Sequence, residues 1–490
     1  MVPPTDRTRR PAWAWAGGPA ALGALLLLGG LVGAGLVTTP KLTLLVAFGL
    51  PLVILFAALA LRPATQRLTL LGLFALAPLT GLMKVLSGQK YGPLAFDALL
   101  VLVFAIVLVT SYAQFPVRSL LVLLFMALAV AEMLNANVVS VTMALEGFHK
   151  FMFLALAFFV AQGSLIDRPF LKQFTRLLTV QATLLALYGI KQFVAPTELD
   201  RALIGLSEPG ADISFTVAGH LRAFSTTSSP FHLGIYLVGT ILLGVAVWRV
   251  SGGRRIWLGG ALLIQTAALG LTLTKGNWAA AVAGVAVILL AGLRRKAALR
   301  VLGGTALAGA VGLLVLLPVV IALDPSGALA QASGDILNPS KAATLTLRTD
   351  LWQGEILPAI AQRPLLGYGT GSASEGLQSL VRAQGARAFD SHNLFFKLAL
   401  ELGSGGLLVF GVLLAGVLRQ AWRQRRRITD PFLQSLSVWC MAFAVAALVS
   451  GLVAPILDAY PGNMLFWFAL GLVSRIQQLN AVPAPVTAAA

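Results

Sequence analysis

The chain has 490 residues, 58% of them hydrophobic and only 11% charged, with a mean hydropathy of +0.87. So few polar groups could not cover the surface of a soluble domain of this size, and that class is excluded. The net charge of +18 would suit a nucleic-acid binder, but the basic residues sit in short connections between apolar runs, so membrane topology accounts for them.

A bilayer core about 30 Å thick needs roughly 20 residues of helix, and apolar runs of that length recur throughout the chain. Barrel strands would be shorter and would alternate. Candidate spans lie at 19–37, 43–61, 68–82, 94–110, 118–134, 148–165, 174–194, 231–248, 256–274, 277–293, 300–323, 394–418, 432–453 and 462–477. The first follows Arg7, Arg9 and Arg10 and reads as a retained signal anchor. The third is short and contains Pro78. The fold expected is an all-α integral membrane bundle of about 12–14 transmembrane helices, with a large external loop that contains short helices. The single cysteine, Cys440, falls in a span and offers neither a disulfide nor a thiolate metal site.

With the N-terminus in the cytoplasm, the inner segments gather most of the Lys and Arg residues, among them Arg254, Arg255, Arg294, Arg295, Lys296 and the cluster Arg423, Arg425, Arg426 and Arg427. Of the acids only Asp6, Asp167 and Asp430 fall inside. This is the positive-inside bias. It divides the chain into a cytoplasmic segment 1–18, N-terminal helices 19–194, an external loop 195–230, central helices 231–323, a large external loop 324–393, C-terminal helices 394–477 and a cytoplasmic tail 478–490.

Loops as long as the large one are functional or disordered, and its sequence has order. "LRTDLWQGEILPAIAQ" sets Trp352, Ile356 and Ile360 four apart, a helical apolar stripe suited to lie on the membrane or cap a cavity. "RPLLGYGTG" is a glycine-rich bend without the Lys-Ser/Thr of a P-loop, so it has no nucleotide role.

Eight charged residues fall in or beside spans: Asp97, Glu132, Lys150, Lys191, Lys275, Lys397, Glu401 and Asp458. All lie toward the outer ends, as do His149, His220, His232 and His392. Such charges tend to face a protein interior or a wet cavity, and their shared side predicts a polar cavity open to the outside. Snorkelling would account for Lys150, Lys191 and Asp458. Arg222 and Arg348 offer two-pronged guanidinium groups for phosphate oxygens, or else are ordinary loop charges. In "FDSHNLFFKLALELG", His392 is the candidate acid–base group, because an imidazole takes up a proton near neutral pH. Asp390, Ser391 and Asn393 have capping character. Lys397 and Glu401, four apart, form an ion pair that supports the cavity wall.

These residues resemble a family. "SHNLFFKLALELGSGGLLVFG" is similar to the His-Asn…Glu-x-Gly signature of O-antigen ligases and O-antigen polymerases. "HLRAFSTTSSPFHLGIYLV", "LTLTKGNWAAAVAG" and "LRTDLWQGEILPAIAQRPLLGYGTG" resemble further family stretches in the same order, across roughly 215–475. Thr274-Lys275 stands where the family often has Ser-Arg, and lysine is a point charge rather than a fork. The resemblance implies inverting transfer of a glycan from an undecaprenyl-diphosphate donor to a glycolipid or glycan acceptor. It places the reaction on the outer side of a bacterial inner membrane, without metal, nucleotide sugar or other cofactor. Arg222 and Arg348 would hold the pyrophosphate, Lys275 would assist, and His392 would take the acceptor proton, with Asn393, Lys397 and Glu401 in support. Ligase and polymerase need the same groups; the ligase reading is preferred. A lipid-linked oligosaccharide flippase is the rival from another class, although charges crowded at one end suit alternating access poorly. A bare scaffold would leave the ordered loop without purpose.

Overall fold

The computed structural model describes residues 65–87, 94–111, 115–205, 215–217, 220–292, 343–374, 381–382, 387–458 and 460–481. The expected spans 19–37, 43–61 and 300–323 lie outside these residues. Within them the protein is an all-α polytopic membrane protein, and seven helices are long and apolar enough to cross a bilayer. The only strands among the described residues form a two-residue hairpin, Thr216–Val217 with His220–Leu221.

In chain order the helices are α1 (Gln66–Leu76), α2 (Thr80–Ser87), α3 (Leu94–Ser111), α4 (Arg118–Ala131), α5 (Val141–Phe151), α6 (Leu156–Val160), α7 (Arg168–Val194), α8 (Glu198–Gly205), α9 (Pro230–Val247), α10 (Arg255–Leu271), α11 (Lys275–Gly292), α12 (Ala343–Leu351), α13 (Leu357–Gln362), α14 (Leu394–Gln424), α15 (Pro431–Gly451) and α16 (Gly462–Ala481). Their starts follow capping chemistry. Asp167, Ser229 and Asp430 accept from the first-turn amides of α7, α9 and α15, each with a proline at the first or second helical position. The expected span 148–165 is instead two helices, α5 and α6, joined by a short 3-10 turn, and it begins at Val141. Ser140, whose hydroxyl accepts from Met143 N, sets that earlier start.

Helix α9 is buried on nearly all sides among α7, α10, α11, α15 and α16. The indole of Trp439 on α15 donates to the carbonyl of Gly239 on α9 at 2.8 Å. The rings of Phe74, Phe174, Phe468 and Trp439 cluster around the same core.

Helix α14 is not continuous. Gly403 has φ +64, a left-handed conformation that interrupts the helix. The break receives the Pro364–Gly367 bend of the large loop. Ser404 N donates to Pro364 O at 2.8 Å and Tyr368 N donates to Leu400 O at 2.6 Å. The groups that the break frees are therefore satisfied by loop backbone, as a low-dielectric setting requires. A Cβ on Gly403 would collide with the Leu365 carbonyl. The Trp352, Ile356 and Ile360 stripe packs on Tyr368, Phe389 and Leu400, so it faces protein.

Gly403→Ala should lower stability by at least about 2 kcal/mol, because it combines positive-φ strain with a clash. Gly405→Ala, whose added methyl meets nothing within 4 Å, should be neutral or slightly stabilising. Thermal unfolding of both in one detergent checks this; equal behaviour would contradict the docked bend.

Candidate active site at Arg222, Arg348 and His392

Three segments distant in sequence carry the site. Arg222 follows the small hairpin and is buried, 6% exposed. Its Nε donates to Thr272 O at 2.9 Å and an Nη to Leu273 O at 3.4 Å, while the guanidinium lies 5.1 Å from the Phe231 ring centroid. Thr272 and Leu273 form the turn between α10 and α11, and Lys275 opens α11 two residues later. Lys275 is thus attached to the turn that Arg222 grips, half-buried. Thr274 and Thr272 share a hydroxyl contact of 2.6 Å, and Asn277 bonds both Thr274 and Phe231 O.

Arg348 is in α12, half-buried. Its charge acts on both Arg222 and His392, and Asp390 acts on Arg348 and His392 in turn. Burial first, and the Arg348 charge second, together lower the Arg222 pKa to about 10. Burial also lowers the Arg348 value, against the opposing pull of Asp390. Burial is the first cause of both shifts, and only on Arg222 does a second cation add to it.

His392 is half-exposed, and its Nε2 lies 3.2 Å from Asp390 Oδ2. Its backbone has φ +44. Burial lowers its pKa first; Asp390 raises it and Arg348 lowers it. If Asp390 accepts from Nε2–H, the lone pair of the neutral ring lies on Nδ1, available to a proton. The neighbours fix the backbone on either side of it. Ser391 O accepts from the Trp352 indole at 2.8 Å, and Ser391 Oγ donates to Asn393 O at 3.0 Å. Asn393 caps α14 by accepting from Phe395 N and Phe396 N, and it donates to Leu452 O at 2.9 Å.

Lys397 and Glu401 point away from this cluster into the bundle. The Lys397 ammonium is fully buried, 3.2 Å from Glu401 Oε1, 3.0 Å from Asp458 Oδ2 and 2.7 Å from Ser374 Oγ. Glu401 Oε1 also accepts from Ala373 N at 3.1 Å and Ser374 Oγ at 2.8 Å. The pair therefore anchors the far side of the glycine-rich bend. Asp458 does not snorkel: it is 3% exposed and completes the ion cluster. Lys191 pairs with Asp200 at 2.7 Å rather than reaching for headgroups. Asp97, also buried, takes the Tyr460 hydroxyl and His149 Nε2.

Of the three residues with capping character, Asn393 is the cap, while Asp390 pairs with the histidine. The signal was the spacing of two residues between acid and imidazole. The carbonyls of Thr272 and Leu273 had no signal, because main-chain acceptors are not written in side-chain identity.

Residues 260–411 match the family model Wzy_C, described as O-antigen ligase. The matched stretch contains Lys275, Arg348, His392, Asn393, Lys397 and Glu401, and stops short of Arg222. No curated protein matches the chain. One solved structure similar to it, from "Structural coordination of polymerization and crosslinking by a peptidoglycan synthase complex", has 20% identity and a TM-score of 0.40, covering 74% of this chain and 97% of that one.

Asp390→Asn removes the group that raises the His392 pKa, so that value should fall further. An imidazole NMR titration checks it: the midpoint should move to lower pH in the variant, and an unchanged or higher midpoint would contradict the pairing.

Proposed function

We propose, for a chain whose residues 260–411 match the O-antigen ligase family model, that it transfers a glycan from an undecaprenyl-diphosphate donor to a hydroxyl of a glycolipid acceptor. The observation that carries this reading is the position of Arg348, whose charge acts on both Arg222 and His392. Leaving-group cations and a base thereby share one neighbourhood.

The acceptor oxygen bonds to the anomeric carbon as the carbon–oxygen bond to the diphosphate breaks, with inversion. The electron pair leaves on the diphosphate, where Arg222 and Arg348 meet the growing charge and Lys275 adds a third cation. The acceptor proton passes to His392. A base is needed only as the new bond forms, so a weakly basic imidazole suffices, and its pKa below the ordinary value keeps it unprotonated at neutral pH. Asn393, Lys397 and Glu401 hold the histidine and the loop in register. The positive-inside bias supports an active site on the outer face of a bacterial inner membrane.

Purified protein, lipid-linked glycan donor and a glycolipid acceptor supply the test. His392→Ala should reduce product formation by about 100-fold or more, in line with loss of a general base. Arg222→Lys and Arg348→Lys should each slow donor turnover by roughly tenfold, since a point charge cannot replace the fork. Full activity in His392→Ala would remove the base; wild-type kinetics in both lysine variants would remove the pyrophosphate assignment. Product built only on a second lipid diphosphate would redirect the reading to a polymerase.

A further inference from the structure

Gln192, at the end of α7, is fully buried and binds the backbone beside Arg222 from both sides. Its Nε2 donates to Ser225 O at 2.9 Å, and its Oε1 accepts from Ser225 N at 2.5 Å and Phe224 N at 3.3 Å. Ser225 is buried with φ +56, a conformation that a non-glycine residue holds only when its surroundings impose it.

Behind Gln192 stands Asp200, also fully buried. Its Oδ1 accepts from Gln192 Nε2 and the Tyr188 hydroxyl, each at 2.9 Å. Its Oδ2 accepts from Lys191 Nζ at 2.7 Å, Thr197 N at 2.6 Å and Thr197 Oγ1 at 2.8 Å. Burial alone would raise the carboxyl pKa, but these donors outweigh it and hold the group well below the ordinary range. An ionised carboxylate can only accept. It therefore turns the Gln192 amide N–H groups toward itself and leaves Oε1 facing the Ser225 and Phe224 amides.

The same short segment is fastened on its other sides. Arg222 N donates to Phe215 O at 2.9 Å and Ala223 N to Leu271 O at 3.0 Å. Thr226 Oγ1 donates to Pro78 O at 2.9 Å. Gln192 is the side chain that reaches the left-handed residue itself.

We infer that Gln192, oriented by Asp200, is a positioning residue for Arg222: it clamps Ser225 in the left-handed conformation and so fixes where the guanidinium meets the donor diphosphate. This rests on the reading of Arg222 as a diphosphate ligand. Gln192 touches no substrate in this account; its effect passes through Arg222.

The test is a double-mutant cycle on donor turnover, with Gln192→Leu, Arg222→Ala and the pair, each variant first shown folded by thermal unfolding in detergent. Gln192→Leu should slow donor turnover on the order of tenfold, and in the Arg222→Ala background it should add nothing further. Ser225→Gly, which adopts positive φ without a clamp, should restore much of the loss in Gln192→Leu. General damage to the fold would not be restored in that way. Should Gln192→Leu fail to fold, Asp200→Asn enters the same cycle with the same expectations. Wild-type turnover in Gln192→Leu, or losses that multiply in the pair, would overturn the positioning role while leaving Arg222 as a ligand. Wild-type turnover in Arg222→Ala would overturn both.

Discussion

The glycine-rich bend owes its position to one buried ammonium. Lys397 lies in a helix of an apolar bundle with no exposure at all, among Glu401, Asp458 and Ser374. Removing one partner from a buried pair of this kind costs about 3–5 kcal/mol, because a charge is left without compensation. Glu401 extends the anchor to Ala373 and Ser374, at the end of the glycine-rich bend. The Gly403 break admits the start of that bend. Both ends of the glycine-rich bend are thereby tied to α14, at Glu401 and at Ser404, nine and twelve residues after His392.

From this anchor the candidate site follows mechanically. The Trp352 indole ties the loop helices to Ser391, and Asn393 ties the same segment to α15 through Leu452. Of the described residues other than glycine, three have positive φ: Ser225, Leu273 and His392. One flanks Arg222, one offers it a carbonyl, and one is the imidazole itself. Backbone held in sparsely populated regions persists where the surroundings over-determine it, and such residues cluster at functional sites. The guanidinium groups carry a related cost, since Arg348 and burial together disfavour the charge on Arg222. An anion bound there would offset that cost.

Much of this was legible in the residues. Hydropathy gave the helical class, and the i, i+4 spacing gave the Lys397–Glu401 pair. The family resemblance offered Arg222, Arg348 and His392 as candidates, and the structure brings them within electrostatic reach of one another. Other features were not legible, for physical reasons. The break at Gly403 is invisible to hydropathy, because the apolar run continues on both sides of it. Asp458 read as a helix-end acid, since its partner Lys397 lies 61 residues away in sequence. The span expected at 148–165 was misplaced because an apolar window does not register the Ser140 cap or the 3-10 turn after Phe151. Gln192 and Asp200 gave no signal, since a polar pair at a helix end is ordinary until the backbone it binds is known.

The most direct measurement is cryo-electron microscopy of the protein in lipid nanodiscs with undecaprenyl diphosphate. The account predicts diphosphate density between the Arg222 and Arg348 guanidinium groups, with the His392 ring beside it. Diphosphate bound elsewhere, for instance at the Arg423–Arg427 cluster, with the two arginines vacant, would contradict it.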